Sequence, residues 1–240
     1  LNVISELEMI FAALREVTGE GPNDQAESFA IPNHMLLATA QHELGRAYVL
    51  QCNTDSAMQM LTEAGMTFSA CCGDASMRTA DVLITLGDAS HAAGLFRDAQ
   101  LQYSRAAVIY TNEQGPQHPV VQFEIALRAI RNIEFAGYLV TARAEIDALI
   151  AAYGKASQFP SDSGLLAEFL YLKARVLIDH GFAKEDFKPA EEAMTLLQQA
   201  VAMVKETVGT ESLQHVQTLL LLCHCQIKLS SIDKNSVDTT

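Results

Sequence analysis

The 240-residue sequence contains no tryptophan and only six prolines, and it has 16 Lys and Arg against 29 Asp and Glu. The formal charge of −13 argues against a general nucleic-acid binder, because affinity for phosphate backbones depends on Lys and Arg. It also argues against docking on an anionic membrane. No apolar run approaches the roughly 20 residues that a membrane-spanning helix needs. We therefore expect neither a nucleic-acid partner nor membrane insertion.

The sequence also lacks the motifs of common catalytic and metal sites. It has no phosphate-binding glycine loop, no Gly-x-Ser-x-Gly and no His-Glu-x-x-His. The five cysteines include Cys71-Cys72 and the run Cys223-His224-Cys225, but neighbouring residues of a helix point in different directions and zinc spacings are absent. We expect reduced thiols in a cytoplasmic protein, with no metal, no cofactor and no enzymatic activity.

A four-point pattern recurs at a fixed interval along the chain. Leu44-Gly45, Ala57, Leu61 and Ala64 reappear 42 residues later as Leu86-Gly87, Ala99, Tyr103 and Ala106. Two antiparallel helices cross closely only where small side chains meet, so Gly45 and Ala57 are expected at such a crossing. The pattern predicts an all-α solenoid of helix pairs, in which each pair covers the apolar face of its neighbour.

Two further repeats follow the first two, which begin at Ala38 and Ala80. The third begins at Phe123, an interval of 43 residues, and the fourth begins near Ala167. Turns between the paired helices are predicted at Gly94, Gly137 and Gly181. The second helix of repeat 4 comes about seven residues late, so segment 184–190 is predicted to be an extended turn.

The two ends of the sequence differ from the repeats. Residues 1–37 are predicted to hold a partial repeat helix and a loop, residues 38–229 the repeat domain with a C-terminal capping helix, and residues 230–240 a disordered polar tail. The sequence begins with Leu1 rather than Met, so we expect a fragment. Its first helix, with Ile4, Leu7, Phe11 and Leu14 on one side, is then the second helix of a preceding repeat.

The interval and the joints between repeats resemble one known repeat class. The tetratricopeptide repeat (TPR) is usually about 34 residues long, and it has the same large-small, aromatic and alanine positions. The longer repeat and the joint Gly115-Pro-Gln-His118-Pro119 resemble the kinesin-light-chain type of this repeat, over Ala38 to Leu229. The resemblance implies a non-enzymatic adaptor or scaffold that binds a peptide or helix of another protein in a concave groove.

The first helices of a TPR solenoid line this groove, which selects the candidate binding residues. Their groove positions give ten candidates: His42, Arg46, Asp88, His91, Arg128, Arg131, Phe135, Tyr171, Arg175 and Asp179. Guanidinium groups repeated along one wall are suited to clamping carboxylates or peptide carbonyls. The alternative is that the same arginines pair with Glu43, Asp88, Glu134 and Asp179 of this chain.

Other roles remain open from the sequence. One alternative is a permanent structural subunit of a cytoskeletal, motor or ciliary assembly, and another is the regulatory domain of a larger enzyme or transcription regulator. An apolar channel through Val49, Leu50, Ile84, Phe135, Tyr171 and Ile178 is a further interpretation of the groove. Partner identity and oligomeric state are not encoded in any motif that we recognise.

Overall fold

The structure is a computed structural model that describes residues 3–18, 31–155, 164–184 and 188–237. Over these residues the chain is helical and contains no strand. Within the described ranges the α-helices are α1 Val3–Thr18, α2 Ile31–Leu50, α3 Thr54–Cys72, α4 Met77–Ala92, α5 Phe96–Gln114, α6 Ala126–Phe135, α7 Leu139–Lys155, α8 Gly164–Lys184, α9 Lys188–Thr207 and α10 Leu213–Val237. A π-helical turn, Val120–Ile125, precedes α6. The predicted all-α, TPR-like solenoid of helix pairs is confirmed.

The helices form two compact units, Leu1–Asn132 and Ile133–Thr240. In unit 1, α1 packs on α2, α2 on α3, α3 on α4 and α4 on α5. In unit 2, α7 packs on α8, α8 on α9 and α9 on α10. The alanines of the repeat pattern lie at the centres of these cores, and Ala57, Ala99 and Ala193 are fully buried. The core of each unit therefore follows the repeat register derived from the sequence.

Glycine allows the closest helix crossings in unit 1. A Cβ atom on Gly45 would lie 2.6 Å from Cγ of Leu61, and one on Gly87 would lie 2.5 Å from Cε1 of Tyr103. Both distances are well inside van der Waals contact, and Leu61 and Tyr103 are buried. The predicted role of these glycines at the crossings is confirmed.

The turns between paired helices follow the predictions at two of three glycines. Gly94 and Gly137 both adopt left-handed φ values, of 76° and 87°. The prediction at Gly181 is wrong, because α8 continues through this residue to Lys184. A glycine inside a helix costs about 1 kcal/mol, which the burial of neighbouring Leu177 and Ile178 offsets. Residues 185–187 of the predicted extended turn lie outside the described residues.

The π-helical turn accounts for the interval of 43 residues between the starts of repeats 2 and 3, which is one residue more than the interval between repeats 1 and 2. Ala80 follows Gly73 by seven residues, whereas Phe123, at the same repeat position, follows Gly115 by eight. The extra residue falls in the segment where the π-helical turn Val120–Ile125 replaces an α-helical turn. A π-helical turn takes one more residue than an α-helical turn, so it accommodates the insertion locally.

Helix α1 packs on α2, and helix α10 extends further than the sequence suggested. Helix α1 buries Ile4 against α2, and its Glu8 accepts a hydrogen bond of 2.5 Å from the hydroxyl of Tyr48. Helix α10 ends at Val237 rather than near Leu229. Most of the loop predicted within residues 1–37 lies outside the described residues, as do the last three residues of the predicted tail.

Candidate functional site

A groove of about 470 Å³ lies on the first helices of repeats 1 and 2 in unit 1. Side chains of α2 and α4 form two of its walls, and the π-helical turn with the start of α6 forms a third. Four of the ten predicted binding residues line it: His42, Arg46, Asp88 and Arg128. The groove also contains an apolar strip of half-buried or exposed side chains, namely Val49, Leu50, Ile84 and Val120.

The arginines of this groove differ in how they are held. Arg46 pairs with Glu43 of the same helix at 3.1 Å, and both side chains are about half exposed. Arg128 donates from Nε to Asp88 at 3.2 Å and lies 3.9 Å from Glu124. The surface pair Arg46–Glu43 is weak, so Arg46 can exchange Glu43 for another carboxylate at little cost. The Arg128–Asp88 contact instead joins two helices.

Asp88 is the best-connected acid in the groove. Besides Arg128, it accepts a 2.7 Å hydrogen bond from the hydroxyl of Tyr103, which is buried under Gly87. Burial and the adjacent Asp88 carboxylate raise the pKa of Tyr103 well above its ordinary value, so this hydroxyl stays protonated and keeps donating. Asp88 is therefore held in place by Tyr103 from the second helix of repeat 2 and by Arg128 from the first helix of repeat 3.

His42 faces the groove as a neutral imidazole. Its Nε2 lies 2.9 Å from Oγ1 of Thr85, and Thr85 donates its own hydrogen to the carbonyl of Asp81 at 3.1 Å. The hydroxyl of Thr85 is thus the acceptor, and His42 donates from Nε2. Burial lowers the pKa of His42, and the charges of Arg46 and Arg78 lower it further. The charges of Glu43 and Asp81 act in the opposite direction and raise it.

The other two predicted residues of unit 1 do not line this groove. His91 donates from Nδ1 to Oδ1 of Asn132 at 3.0 Å and packs beside the ring of Phe96. The tautomer follows because the amide nitrogen of Asn132 donates to the carbonyl of Phe96. Arg131 is half-buried and makes no ion pair among the described residues. His91 thus links neighbouring repeats.

The remaining four predicted residues lie in unit 2. Arg175 donates from Nε to Glu134 at 2.6 Å and makes a second hydrogen bond from Nη2 to the same carboxylate. Its guanidinium carbon lies 4.6 Å from the ring centre of Phe135, and Tyr171 contributes a further hydrogen bond. Loss of surrounding water raises the pKa of Asp179, although nearby Arg175 opposes this shift.

Arg78 and Tyr110 are among the groove residues that the sequence-based prediction missed. Arg78, in the first turn of α4, is exposed and makes no ion pair among the described residues. Tyr110 of α5 donates to the carboxylate of Asp81, which is also on the groove wall. Its spacing of seven residues from Tyr103 places both rings on one face of α5, and this spacing was a usable signal.

Polar contacts link the first helices of successive repeats. In unit 1 the linked pairs are His42–Thr85, Asp88–Arg128 and His91–Asn132, and in unit 2 they are Glu134–Arg175 and Glu168–Gln214. Many polar side chains of the predicted binding wall therefore hold one repeat to the next. The intramolecular pairing considered as an alternative is present at Arg46, Arg128 and Arg175.

The described residues offer no feature of a metal centre or a membrane span. No three His, Cys, Asp or Glu side chains gather there in an arrangement that would bind a metal ion. None of the described helices is long and apolar enough to cross a bilayer. The chemistry of the groove is thus that of paired charges, hydroxyls and a short apolar strip.

Comparison with known proteins identifies the fold. No family model and no curated protein matches the chain. A crystal structure of nearly identical TPR-like repeats, from a protein described as a kinesin light chain of Podosopora anserina, matches with a TM-score of 0.59 and 18% sequence identity. The match covers 85% of this chain and 86% of that chain. A variant of the same protein with a glutamine-to-methionine substitution matches with the same score, over 85% of each chain. The fold predicted from the repeat pattern is thereby confirmed.

Proposed function

We propose that the chain is a non-enzymatic protein-binding scaffold that holds a peptide or helix of a partner in the groove of unit 1. The observation that carries the proposal is the groove itself, in which an apolar strip lies beside available charges on the first helices of two repeats. Protein binding is consistent with the TPR-like fold, in which stacked first helices form extended binding surfaces.

The side chains of the groove suggest which partner segment fits. Arg78 is exposed without an ion pair among the described residues, and the Arg46–Glu43 pair is half exposed, so both arginines are accessible to a carboxylate of the partner. Val49, Leu50 and Ile84 offer an apolar surface beside them, and Leu50 is 87% exposed. We therefore propose a segment that combines an acidic side chain with an apolar one.

The experiment is a selection of random displayed peptides on the 240-residue chain, followed by anisotropy titrations of the selected peptides carrying a fluorescent label. We expect enrichment of Asp or Glu close to an apolar residue. Arg78→Ala should weaken binding by about tenfold or more, as expected for a lost charge-assisted hydrogen bond. Leu50→Asp should also weaken it, because it places a charge in the apolar strip.

Arg97→Ala is the matched control, because Arg97 is an exposed arginine on α5 that does not line the groove. It should bind the selected peptides as the parent does. Selected peptides that bind equally to the parent, Arg78→Ala and Leu50→Asp would show that another surface captures them, and the proposed groove would then be wrong.

A further inference from the structure

A second groove of unit 1, with a volume of about 370 Å³, lies on the second helices of repeats 1 and 2. Side chains of α3 and α5 form its two sides, and Val82, Leu83 and Leu86 of α4 form its floor. These floor residues lie on the face of α4 opposite to Asp81 and Asp88, so this groove is separate from the proposed peptide-binding groove. We call it the second-helix groove, and its sides include Thr62, Met66, Gln102 and Arg105.

Exposed apolar side chains lie along both sides of the second-helix groove. Met66 on α3 is 62% exposed, and Leu101 and Val108 on α5 are 57% and 59% exposed. Leu101 lies four residues before Arg105 and Val108 lies three residues after it, so these three side chains share one face of α5. Exposed apolar side chains that are grouped beside a groove, rather than scattered singly, indicate a binding surface.

The corresponding groove of unit 2, between α7 and α9, is bridged by ion pairs. Nζ of Lys173 on α8 lies 2.9 Å from a carboxylate oxygen of Asp147 on α7 and 3.3 Å from one of Glu192 on α9. Arg143 of α7 also lies 3.9 Å from Glu192. Side chains of this chain therefore connect the two second helices of unit 2 across α8.

The repeat register shows that unit 1 cannot form this bridge. The four bridging residues of unit 2 have these counterparts in unit 1: Met58 for Arg143, Thr62 for Asp147, Leu86 for Lys173 and Asp98 for Glu192. Three of the four counterparts are uncharged, and Leu86 adds apolar surface where Lys173 supplies the central charge. The second-helix groove of unit 1 is therefore open and apolar at the place where unit 2 is bridged.

The polar side chains of the second-helix groove indicate the chemistry of its occupant. Arg105 is exposed and forms no ion pair with any residue that the structure describes. Oε1 of Gln102 is shielded from solvent and receives no hydrogen bond from the described part of the chain, which is unfavourable for a buried acceptor. Asp74 also lines the groove, but it already accepts a hydrogen bond from the hydroxyl of Ser69. An occupant that brings a carboxylate and a hydrogen-bond donor complements these groups.

The walls of the second-helix groove favour a helix as the bound segment. The backbones of α3 and α5 are hydrogen-bonded within their own helices, so they offer no partners to the backbone of an extended peptide. A helix instead satisfies its own backbone groups. Thr62, Met66 and Ser69 form a ridge on α3 with spacings of four and three residues, and such a ridge packs into the grooves of another helix.

We propose that the second-helix groove binds an amphipathic helix of another protein. The apolar face of that helix packs on Met66, Leu86 and Val108, and an Asp or Glu within one turn of this face pairs with Arg105. Charge complementarity selects an acidic helix over a basic one, because a basic helix would leave Arg105 facing a like charge. The site is independent of the proposed peptide-binding groove, so the chain can hold two partner segments at once.

The test is a selection from a displayed library of amphipathic helices about 18 residues long, with random residues on one face. The bait is the 240-residue chain carrying Arg78→Ala and Leu50→Asp, which alter the peptide-binding groove and leave the second-helix groove intact. We expect enrichment of helices that carry Asp or Glu within one turn of a large apolar residue. With this bait, the result does not depend on the function proposed for the other groove.

Anisotropy titrations of a selected helix carrying a fluorescent label locate its site on the bait. Arg105→Ala should weaken binding by about tenfold or more, because it removes the partner of the acidic residue. Met66→Lys should weaken binding by about tenfold or more, because it places a charge in the apolar contact. Both residues are exposed, so helicity measured by circular dichroism should remain that of the bait.

A double variant transfers the bridge of unit 2 into the second-helix groove. Thr62→Asp with Leu86→Lys supplies the two charges that Asp147 and Lys173 bring together in unit 2. It should weaken binding at least as much as Met66→Lys, because an internal ion pair then spans part of the groove. A urea midpoint checks that the double variant folds, and Met66→Lys tests the site without this half-buried substitution.

Ser104→Lys is the matched control for the added charge, because Ser104 is exposed on α5 and does not line the groove. It should bind the selected helix as the bait does. A bait that enriches no helix, or a helix that binds Met66→Lys and the double variant as tightly as the bait, would overturn the proposal. Self-association of the bait in sedimentation velocity that Met66→Lys abolishes would also overturn it, because a second copy of the chain would then occupy the groove.

Discussion

Arg175 and Glu134, 41 residues apart, form an ion pair with two hydrogen bonds inside unit 2. The carboxylate of Glu134 is almost completely buried, with 3% of its side chain exposed, and Arg175 retains 21%. The guanidinium also lies over the ring of Phe135, at 4.6 Å from its centre. Such a pair costs much to desolvate, so its partners depend strongly on each other.

We expect Arg175→Met to destabilise the chain by about 3–5 kcal/mol, because it leaves the buried carboxylate of Glu134 without its guanidinium. The double variant Arg175→Met, Glu134→Leu should be more stable than the single variant, since it removes both charges. Urea unfolding followed by circular dichroism measures both. The exposed pair offers the control: Arg46→Met should cost no more than about 1 kcal/mol. Equal costs at the two sites would contradict the prediction.

Gly87 provides a second prediction, on the helix crossing of repeat 2. Gly87→Leu should destabilise the chain by about 1–3 kcal/mol or more, because the new side chain would collide with the buried ring of Tyr103. Gly154 lies in α7 with no heavy atom within 4 Å of an added Cβ. Gly154→Ala should therefore stabilise by about 0.5–1 kcal/mol through helix propensity. An unfolding midpoint of Gly87→Leu equal to that of the parent would refute the repeat register.

Asn132 gives a third prediction, because it is 2% exposed and bonded on both sides of its amide. It donates to the carbonyl of Phe96 at 2.8 Å and accepts from His91 at 3.0 Å. Asn132→Leu should cost about 1–3 kcal/mol, because it removes the amide to which the His91 ring and the Phe96 carbonyl bond at a buried site. Asn112→Leu, at an exposed position of α5, should change stability by no more than about 0.5 kcal/mol. Urea midpoints of the parent and of both variants measure these costs. An Asn132→Leu midpoint equal to that of Asn112→Leu would contradict the prediction.

His42 predicts a pH dependence of stability. Burial lowers its folded-state pKa below the ordinary value of 6.5, so the unfolded chain binds the proton more readily. The stability that neutral His42 contributes to the folded state is fully present above the unfolded pKa. It is lost as pH falls through the lowered folded pKa. Unfolding titrations between about pH 7.5 and pH 5.5 should therefore show a smaller loss of stability for His42→Gln than for the parent. His224→Gln, at an exposed histidine of α10, is the control, and identical pH slopes for parent and His42→Gln would contradict the prediction.

The parts of the fold that depend on residue size were predictable from the sequence. Gly45, Gly87 and the alanines of the second helices mark close crossings, and a crossing leaves no freedom to substitute a larger side chain. The helix-pair architecture follows from that constraint alone. The interval of 43 residues to repeat 3 was visible as well, but its accommodation by a π-helical turn depends on backbone hydrogen bonds that no residue type specifies.

The candidate site was less predictable, because a charged residue at a first-helix position can face a partner or the next repeat. Glu134 and Ile178 occupy the same repeat position as His91, which was assigned to the groove, yet they are 5% and 2% exposed. The next first helix covers Glu134 through Arg175. Such coverage depends on the angle between neighbouring helices, which is set by packing over the whole repeat rather than by any local motif.

The π-helical turn at Val120–Ile125 has a consequence for how such chains change in length. Because it absorbs one inserted residue within a single turn, buried Ala142 follows buried Ala99 by 43 residues, whereas Ala99 follows Ala57 by 42. An insertion of this size is therefore neutral for the neighbouring modules. Repeats can therefore change in length by one codon at a time. The repeat interval then becomes irregular in the sequence, although the helices keep their stacking.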